Sequence, residues 1–509
     1  MPAAQDKGPA ARPAPATAAE VVDSLGLGLA QARVAALALG VWFTDGLDIC
    51  LVTVTTPTMA REFHLTHAQR GLLTTAAMLG VAIGCFGFVG DVLGRKPPIV
   101  FSYFFTVVMN VVTVGAGSFN TLFATRLGVG IAMGVGMSPS IAMMSETTPK
   151  RWRMAMAGAK GIIGISGFLF GNVSMYVSDP TLVHLRWRAL FLYCSIPGVF
   201  LGIAALLFLP ESPAFLAHKG HQKAAVRVLD SMRRLNCRAD VPFELACPRE
   251  DIEDRERQTD VQAGTLSMRS QLNVIFGRSL IGCTTAALIL NLAINVIHYH
   301  QNYGEPQVFT SDAASLKLEP AAQLMVANSF GLIGFPMTVF SSMCLSRRSG
   351  IVLAFAMVSA LTFTFASTVT ASTKTWYTET FFQFSMCLLR GIFSMTWNFV
   401  HQFSVEIYPV ACSTTGGAAV IGVGRIGSCV APLIFELVSA TSGVMVASYY
   451  IMGCVSIAVA FLTMLLVPSD TADIFRRAEA EVQARVLLEG RLSMLGRATK
   501  DLAATAKTQ

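Results

Sequence analysis

The chain has 509 residues, of which 53% are hydrophobic and 14% charged, and its mean hydropathy is +0.56. A soluble protein of this size carries about a quarter charged residues, so the composition excludes an ordinary soluble domain and points to a polytopic membrane protein. The net charge of +7 is met by membrane electrostatics and requires no nucleic-acid partner.

Charge-poor runs long enough to cross a bilayer fall at about 30–56, 71–90, 97–118, 121–145, 155–178, 187–209, 279–301, 321–345, 350–370, 378–404, 412–440 and 443–467. They predict an all-α membrane protein of twelve transmembrane helices. Residues 1–29 read as a disordered, Ala/Pro-rich cytoplasmic tail, 30–209 as a six-helix bundle and 210–278 as a cytoplasmic central loop. Residues 279–467 read as a second six-helix bundle and 468–509 as a cytoplasmic C-terminal tail. With both termini inside, Arg61, Arg70, Arg186, Arg188, Lys317 and Lys374 lie on external loops and most other bases lie inside, as the positive-inside tendency requires. The eleven cysteines lie in spans or cytoplasmic segments, so disulfides are not expected.

In chain order, the first helix carries Trp42-Phe43-Thr44-Asp45-Gly46-Leu47-Asp48. Asp45 and Asp48 are three residues apart and project within about 60° of each other on a helix. Acids inside a bilayer face the bundle interior and mark ion pathways, so the pair is a candidate proton carrier; the alternative is a structural ion pair with a base on another helix. Between the second and third spans lies Gly87-Phe-Val-Gly-Asp91-Val-Leu-Gly94-Arg95-Lys96, whose glycines permit a tight reversal and whose Asp91 and Arg95 can tie two helix ends by a charge pair.

The fourth helix runs from Arg126 through Gly128, Gly130, Gly134 and Gly136, a small-residue face suited to close packing, to Glu146-Thr-Thr-Pro149 and Arg153. In the central loop Val226, Leu229, Met232 and Leu235 repeat among His221, Lys223, Arg227, Arg233 and Arg234, which predicts a short amphipathic helix along the inner membrane face. Glu250 to Arg257 reads as a solvated mixed-charge run.

Asn291 and Asn295, one turn apart in the seventh helix, can bond a polar solute or bond between helices. His298 and His300 lack the further ligands a metal site would need, so no metal or cofactor is expected. Arg390 lies in the tenth helix, which ends at Glu406-Ile-Tyr408-Pro409. Glu406 and Pro409 repeat Glu146 and Pro149, an internal repeat that supports two related bundles. The eleventh helix holds Arg425 and Glu436, which lie about 16 Å apart along the axis and cannot pair. A mid-span arginine needs an acid or an anionic ligand, and Asp45 and Asp48 are the candidate partners.

The pattern Gly87, Asp91, Gly94, Arg95 and Lys96 resembles the loop between helices two and three of the major facilitator superfamily. Pro210-Glu211-Ser212-Pro213 resembles the sugar-porter and organic-ion branches, with Ala214 where a base often follows. Gln31, Trp42 to Asp48 and Arg425 to Pro432 look most like the organic-ion and synaptic-vesicle-transporter-like branch. Phe43-Thr-Asp45-x-x-Asp48 is also similar to proton:phosphate symporters, whose further acids correspond here to Gly136 or Met137 and to Asn295.

The resemblance implies the major facilitator fold, two pseudo-symmetric six-helix bundles, and alternating access around a midplane site. It implies a monomeric secondary transporter, not an enzyme, moving a small organic ion or polar nutrient with protons across the plasma membrane or a vesicle membrane. A proton:phosphate symporter, a facilitative uniporter and a non-transporting sensor are the alternatives. On this reading Asp45 and Asp48 couple the proton, while Asn291, Asn295, Arg390, Arg425 and Glu436 surround the solute. Gly87, Asp91, Gly94, Arg95, Lys96, Glu146, Arg153 and Glu406 form the inner latch. In the second half Met343 stands at the place of the latch acid, Ser346 at that of the second glycine and Ser413 at that of Arg153, which predicts an asymmetric latch.

Overall fold

The computed structural model describes residues 15–85, 93–238, 241–245, 268–311, 318–371 and 375–467, with five further residues between 477 and 485. Strand β1 (Pro15–Ala16) and helices α1 (Ala18–Leu25), α2 (Leu29–Ala38), α3 (Gly40–Glu62) and α4 (His67–Cys85) open the chain. Helices α5 (Lys96–Val114), α6 (Phe119–Thr147), α7 (Arg153–Ser178) and α8 (Trp187–Phe208) complete the first half. The connecting segment holds α9 (Pro213–His218), α10 (Gln222–Leu235), β2 (Glu244–Leu245), paired in parallel with β1, and α11 (Met268–Ile275). The second half comprises α12 (Ile281–Phe309), α13 (Pro320–Phe330), α14 (Gly334–Cys344), α15 (Arg347–Thr370), α16 (Trp376–Glu406), α17 (Val410–Ser442) and α18 (Ala447–Leu466).

α2 with α3, and α13 with α14 through the 3-10 turn Gly331–Ile333, each run on as one rod, so the described residues form twelve rods, six per half. Ten of these rods are long and apolar enough to cross a bilayer. A lipid-embedded backbone must satisfy its polar groups internally, which is why the spans are helices. Capping side chains set several starts: Ser118, Ser346 and Thr375 each accept a hydrogen bond from a backbone N–H three residues on. Bulky apolar residues point outward, as at Phe200, Phe340 and Phe461, the arrangement expected where the solvent is lipid.

Helices α4 and α6 cross with their backbones in close contact. A Cβ on Gly130 would lie 2.0 Å from the Ala77 carbonyl oxygen, one on Gly134 2.4 Å from that of Val81, and one on Gly84 2.4 Å from that of Ile131. The glycines of the fourth span are therefore packing residues, since in lipid close backbone approach is a main source of helix association. The halves meet chiefly where α4 crosses α17, α7 meets α13 and α3 meets α12.

Three expectations change. Residues 15–29 are folded where a disordered tail was predicted: Thr17 caps α1 in a capping box with Glu20, and Val21, Val22 and Leu25 bury against Leu229 and Met232 of α10. The apolar stripe of α10 is thereby covered by α1 and not by the membrane face. The seventh span runs to Phe309 instead of about 301, because Glu305 finds Arg390 inside the bundle and does not force the helix into water. Residues 1–14, the Glu250 to Arg257 run and most of the C-terminal tail lie outside the described residues.

Replacing Gly134 by leucine is expected to separate α4 from α6 at a cost of about 1–3 kcal/mol or more. The lowered thermal midpoint in detergent should contrast with Gly282→Leu, whose Cβ meets nothing within 4 Å; equal midpoints would refute the close-packed crossing.

Candidate functional site

One end of the first half is held by a charge cluster. Gly94 has φ +101°, a left-handed conformation that glycine adopts at least cost. This turn presents the next two backbone N–H groups to Glu211: Arg95 N donates to Oε1 at 2.8 Å and Lys96 N to Oε2 at 3.2 Å. The Arg95 guanidinium pairs with Glu146 at 3.0 Å. In the second half Arg347 pairs with Glu406 at 2.9 Å, so the charge pair repeats although the glycine of the first half is a serine in the second. Arg153 donates to the Thr148 carbonyl at 3.4 Å. Gly87 and Asp91 lie outside the described residues. We call this end the latch face.

Above it the buried charges separate into two kinds. Asp48, 6% exposed, pairs with Arg126 at 3.0 Å, and the other guanidinium arm donates to Asn110 at 2.7 Å and Thr113 at 2.6 Å. Arg126 also lies over the Phe191 ring, 4.8 Å from its centroid. In the second half Arg390 pairs with Glu305 and donates to Asn302. A buried arginine is tolerated where an acid and further acceptors satisfy it.

Asp45 faces elsewhere. With Lys160, Arg390 and Arg425 it lines a cavity of about 280 Å³ between the halves, together with Trp42, Phe168, His298, Tyr299, Phe393, Trp397 and His401. Among the described residues the Asp45 carboxylate has no hydrogen-bond partner or ion pair. Arg425 bonds Tyr299 Oη at 3.3 Å and the Met137 sulfur at 4.0 Å, and Lys160 Nζ lies 4.5 Å from the centre of the Trp42 ring.

Four of the expected site residues lie away from this cavity. Asp48 does not share it with Asp45, because the Arg126 network holds it inside the first half. Asn291 donates to Ser404 at 2.6 Å, and Asn295 to the Asn291 carbonyl at 2.8 Å. Both amides sit at helix contacts, Asn295 against Gly424 of α17. Glu436, 2% exposed, accepts from Tyr303 at 2.6 Å and meets His67 Nδ1 at 2.6 Å.

Sequence reasoning missed Lys160, Arg126 as a buried partner, Glu305, Trp397 and His401. A base at the sixth position of a predicted span was the available signal for Lys160, and the charge of Arg126 inside another span was the signal for it.

The Glu436–His67 contact joins the halves at the end opposite the latch face. Thr75 donates to the Cys429 carbonyl at 2.6 Å, and Ala321 N donates to the Pro180 carbonyl at 3.0 Å, also between halves. These three described cross-half hydrogen bonds lie above the cavity, and a fourth, from Arg425 to the Met137 sulfur, lies in its wall. The cavity lining descends toward the latch face through Gly158, Lys160, His401 and Ile421.

The family described as "Sugar (and other) transporter" matches residues 34–476. The chain belongs to this family of the major facilitator superfamily. The svop-1 protein of Caenorhabditis elegans is 22% identical, over 84% of this chain and 80% of that protein. The arabinose-proton symporter of Escherichia coli strain K12 is 25% identical, over 64% of this chain and 66% of its own length. The inward open conformation of the xylose transporter XylE from E. coli superposes with a TM-score of 0.68 at 16% identity, over 88% of this chain and 98% of that one. The sugar-porter membership makes this a secondary transporter of the major facilitator type with the twelve-helix fold.

The α4–α17 contact can be locked. A Cβ on Gly71 would lie 3.2 Å from Leu433 Cα, so the double variant Gly71→Cys/Leu433→Cys should form a disulfide across the halves. In a background free of other cysteines, oxidation should abolish transport and reduction restore it. Transport that survives complete cross-linking would contradict a closure at this end.

Proposed function

We propose that this sugar-porter relative moves a small organic ion or polar nutrient by alternating access and couples that movement to protons. The observation that carries the reading is a cavity between the halves that gathers Asp45, Arg390 and Arg425, beneath cross-half contacts at one end. A non-transporting scaffold would gain by losing such groups, since each costs about 2.5–3.5 kcal/mol on insertion scales. The likeness to the arabinose-proton symporter, by its name a proton-coupled carrier, supports proton coupling.

With both termini cytoplasmic, the latch face is the cytoplasmic face and the conformation described is inward-facing. Rocking of the two halves then exposes the same site on the other side, provided solute and proton together favour the intermediate closed state. Asp45 is the better carrier of the coupling proton, because it borders the cavity and is bonded to no described group. Asp48 keeps a structural role through Arg126. Arg390 and Arg425 contact the solute, while Asn291 and Asn295 hold α12 in register and Glu436 closes the far gate with His67. An inorganic-phosphate reading is less favoured: Asn295, at one position of the further acids, is committed to Asn291.

A metabolite comparison of cells with and without the protein supplies the solute, and labelled uptake into proteoliposomes then tests the coupling. Asp45→Asn is expected to retain counterflow and to lose accumulation driven by an imposed proton gradient. Undiminished accumulation in this variant would refute the assignment, and wild-type accumulation insensitive to the gradient would make the protein a facilitative uniporter.

A further inference from the structure

The charges around the cavity are unequal in number and in how they are satisfied. Lys160, Arg390 and Arg425 supply three bases and Asp45 one acid. Arg390 is matched from behind by Glu305, a buried residue outside the cavity lining. That leaves Lys160 and Arg425 against Asp45, an excess of one positive charge facing the solute space.

Neither of these two bases has a bonded carboxylate among the described residues, and both keep donors to spare. Arg425 carries five N–H groups, and its described bonds are to one phenol and one thioether. Lys160 makes a cation–π contact with Trp42 and has no carboxylate partner among the described residues. A guanidinium presents its donors as a fork that fits a carboxylate in two-point fashion. The lining also holds Asn302, Asn328, Asn398 and Ser394, whose amides and hydroxyl would serve any polar solute, so it is the two bases without a bonded carboxylate that favour an anion.

Beside aliphatic residues, glycines and the polar Asn302, Asn328, Ser394 and Asn398, the wall carries a group of aromatic rings. His298 stacks on Phe393 with centroids 4.9 Å apart and planes at 24°, and Trp397 stacks on His401 at 4.8 Å and 23°. His298 and Trp397 are themselves 5.2 Å apart, so four rings follow one another along the second-half side of the cavity. Trp42, Phe168 and Tyr299 contribute further rings to the lining. Rings arranged this way accept a flat apolar body by stacking or edge contact.

We propose that the solute is an organic monoanion with an aromatic or similarly flat apolar body, its carboxylate held by Arg425 and Lys160. This rests on the transport reading and specifies the class of solute for the same cavity. Asp45 is then the group that tunes anion binding: its negative charge opposes the solute, and removing that charge strengthens the site.

The test uses purified full-length protein and isothermal titration with benzoate, 3-phenylpropionate and indole-3-acetate. Each is compared with its neutral amide, and 3-phenylpropylamine and D-xylose serve as a cation and a sugar. At least one carboxylate should bind at least tenfold more tightly than its amide. Arg425→Gln should remove that preference, and Arg425→Lys should recover part of it; unchanged size-exclusion profiles show that the variants fold. Asp45→Asn should bind the carboxylate about tenfold more tightly, the size of effect expected from one charge at short range in a partly wetted site. The inference is overturned if no carboxylate of the panel binds, if an amide, the amine or xylose binds as tightly, or if Asp45→Asn weakens the carboxylate. Accumulation of xylose or of the amine by proteoliposomes would overturn the anion assignment while leaving the transporter reading intact. Binding of a carboxylate without transport would do the reverse.

Discussion

The Asp48–Arg126 pair is the interaction on which much of the first half depends. Its two residues are 78 apart in sequence, on α3 and α6, and each would be prohibitively costly alone in hydrocarbon. Asn110 and Thr113 on α5 take the second arm of the guanidinium, so one buried group fixes the mutual rotation of α3, α5 and α6. The second half repeats the device with Arg390, Glu305 and Asn302, joining α16 to α12. Breaking such a pair by removing one partner costs about 3–5 kcal/mol, because the remaining charge is stranded.

Once these pairs are closed, the charges left over, Asp45, Lys160 and Arg425, line the cavity between the halves. Asp45 lies one turn from Asp48 yet belongs to the cavity, and the difference arises from α7. Gly167 packs its backbone against α3, where a Cβ would lie 2.0 Å from the Phe43 carbonyl oxygen. The adjoining turns of α7 carry Lys160 and Gly164 into the lining that Asp45 shares. Sequence spacing predicted that Asp45 and Asp48 project to one side of their helix. The separation of about 60° was enough for one to meet Arg126 inside the bundle and the other to meet the space between the halves.

This division explains what could be read without coordinates. The rods were legible because hydrocarbon forces long charge-poor runs into helices, and the Glu-x-x-Pro repeat revealed the two related halves. The latch was legible in part: Arg95, Glu146 and Glu406 were identified, but the partner of Glu406 is Arg347, in a stretch whose glycine and acid had been lost. Asn291 and Asn295 had two open roles, and only the neighbouring Ser404 and Gly424 decide for the helix contact. The fold of residues 15–29 was hidden because the partners of α1 lie two hundred residues away in α10. No local pattern reports that Asn236 accepts from Ala30 N at 2.9 Å and donates to Gln31 at 3.0 Å.

The transport reading requires that the leftover charges line a chamber reached by water from the latch face and closed at the other end. Single cysteines at Gly158, Ile421 and Phe340, in a background without the native cysteines, measure this directly with a membrane-impermeant thiol reagent applied to one face at a time. Labelling of positions 158 and 421 is expected from the latch face alone, and none at position 340, which is 73% exposed to the surroundings of the bundle. Equal labelling of positions 158 and 421 from both faces, or labelling at 340 as fast as at 421, would contradict it.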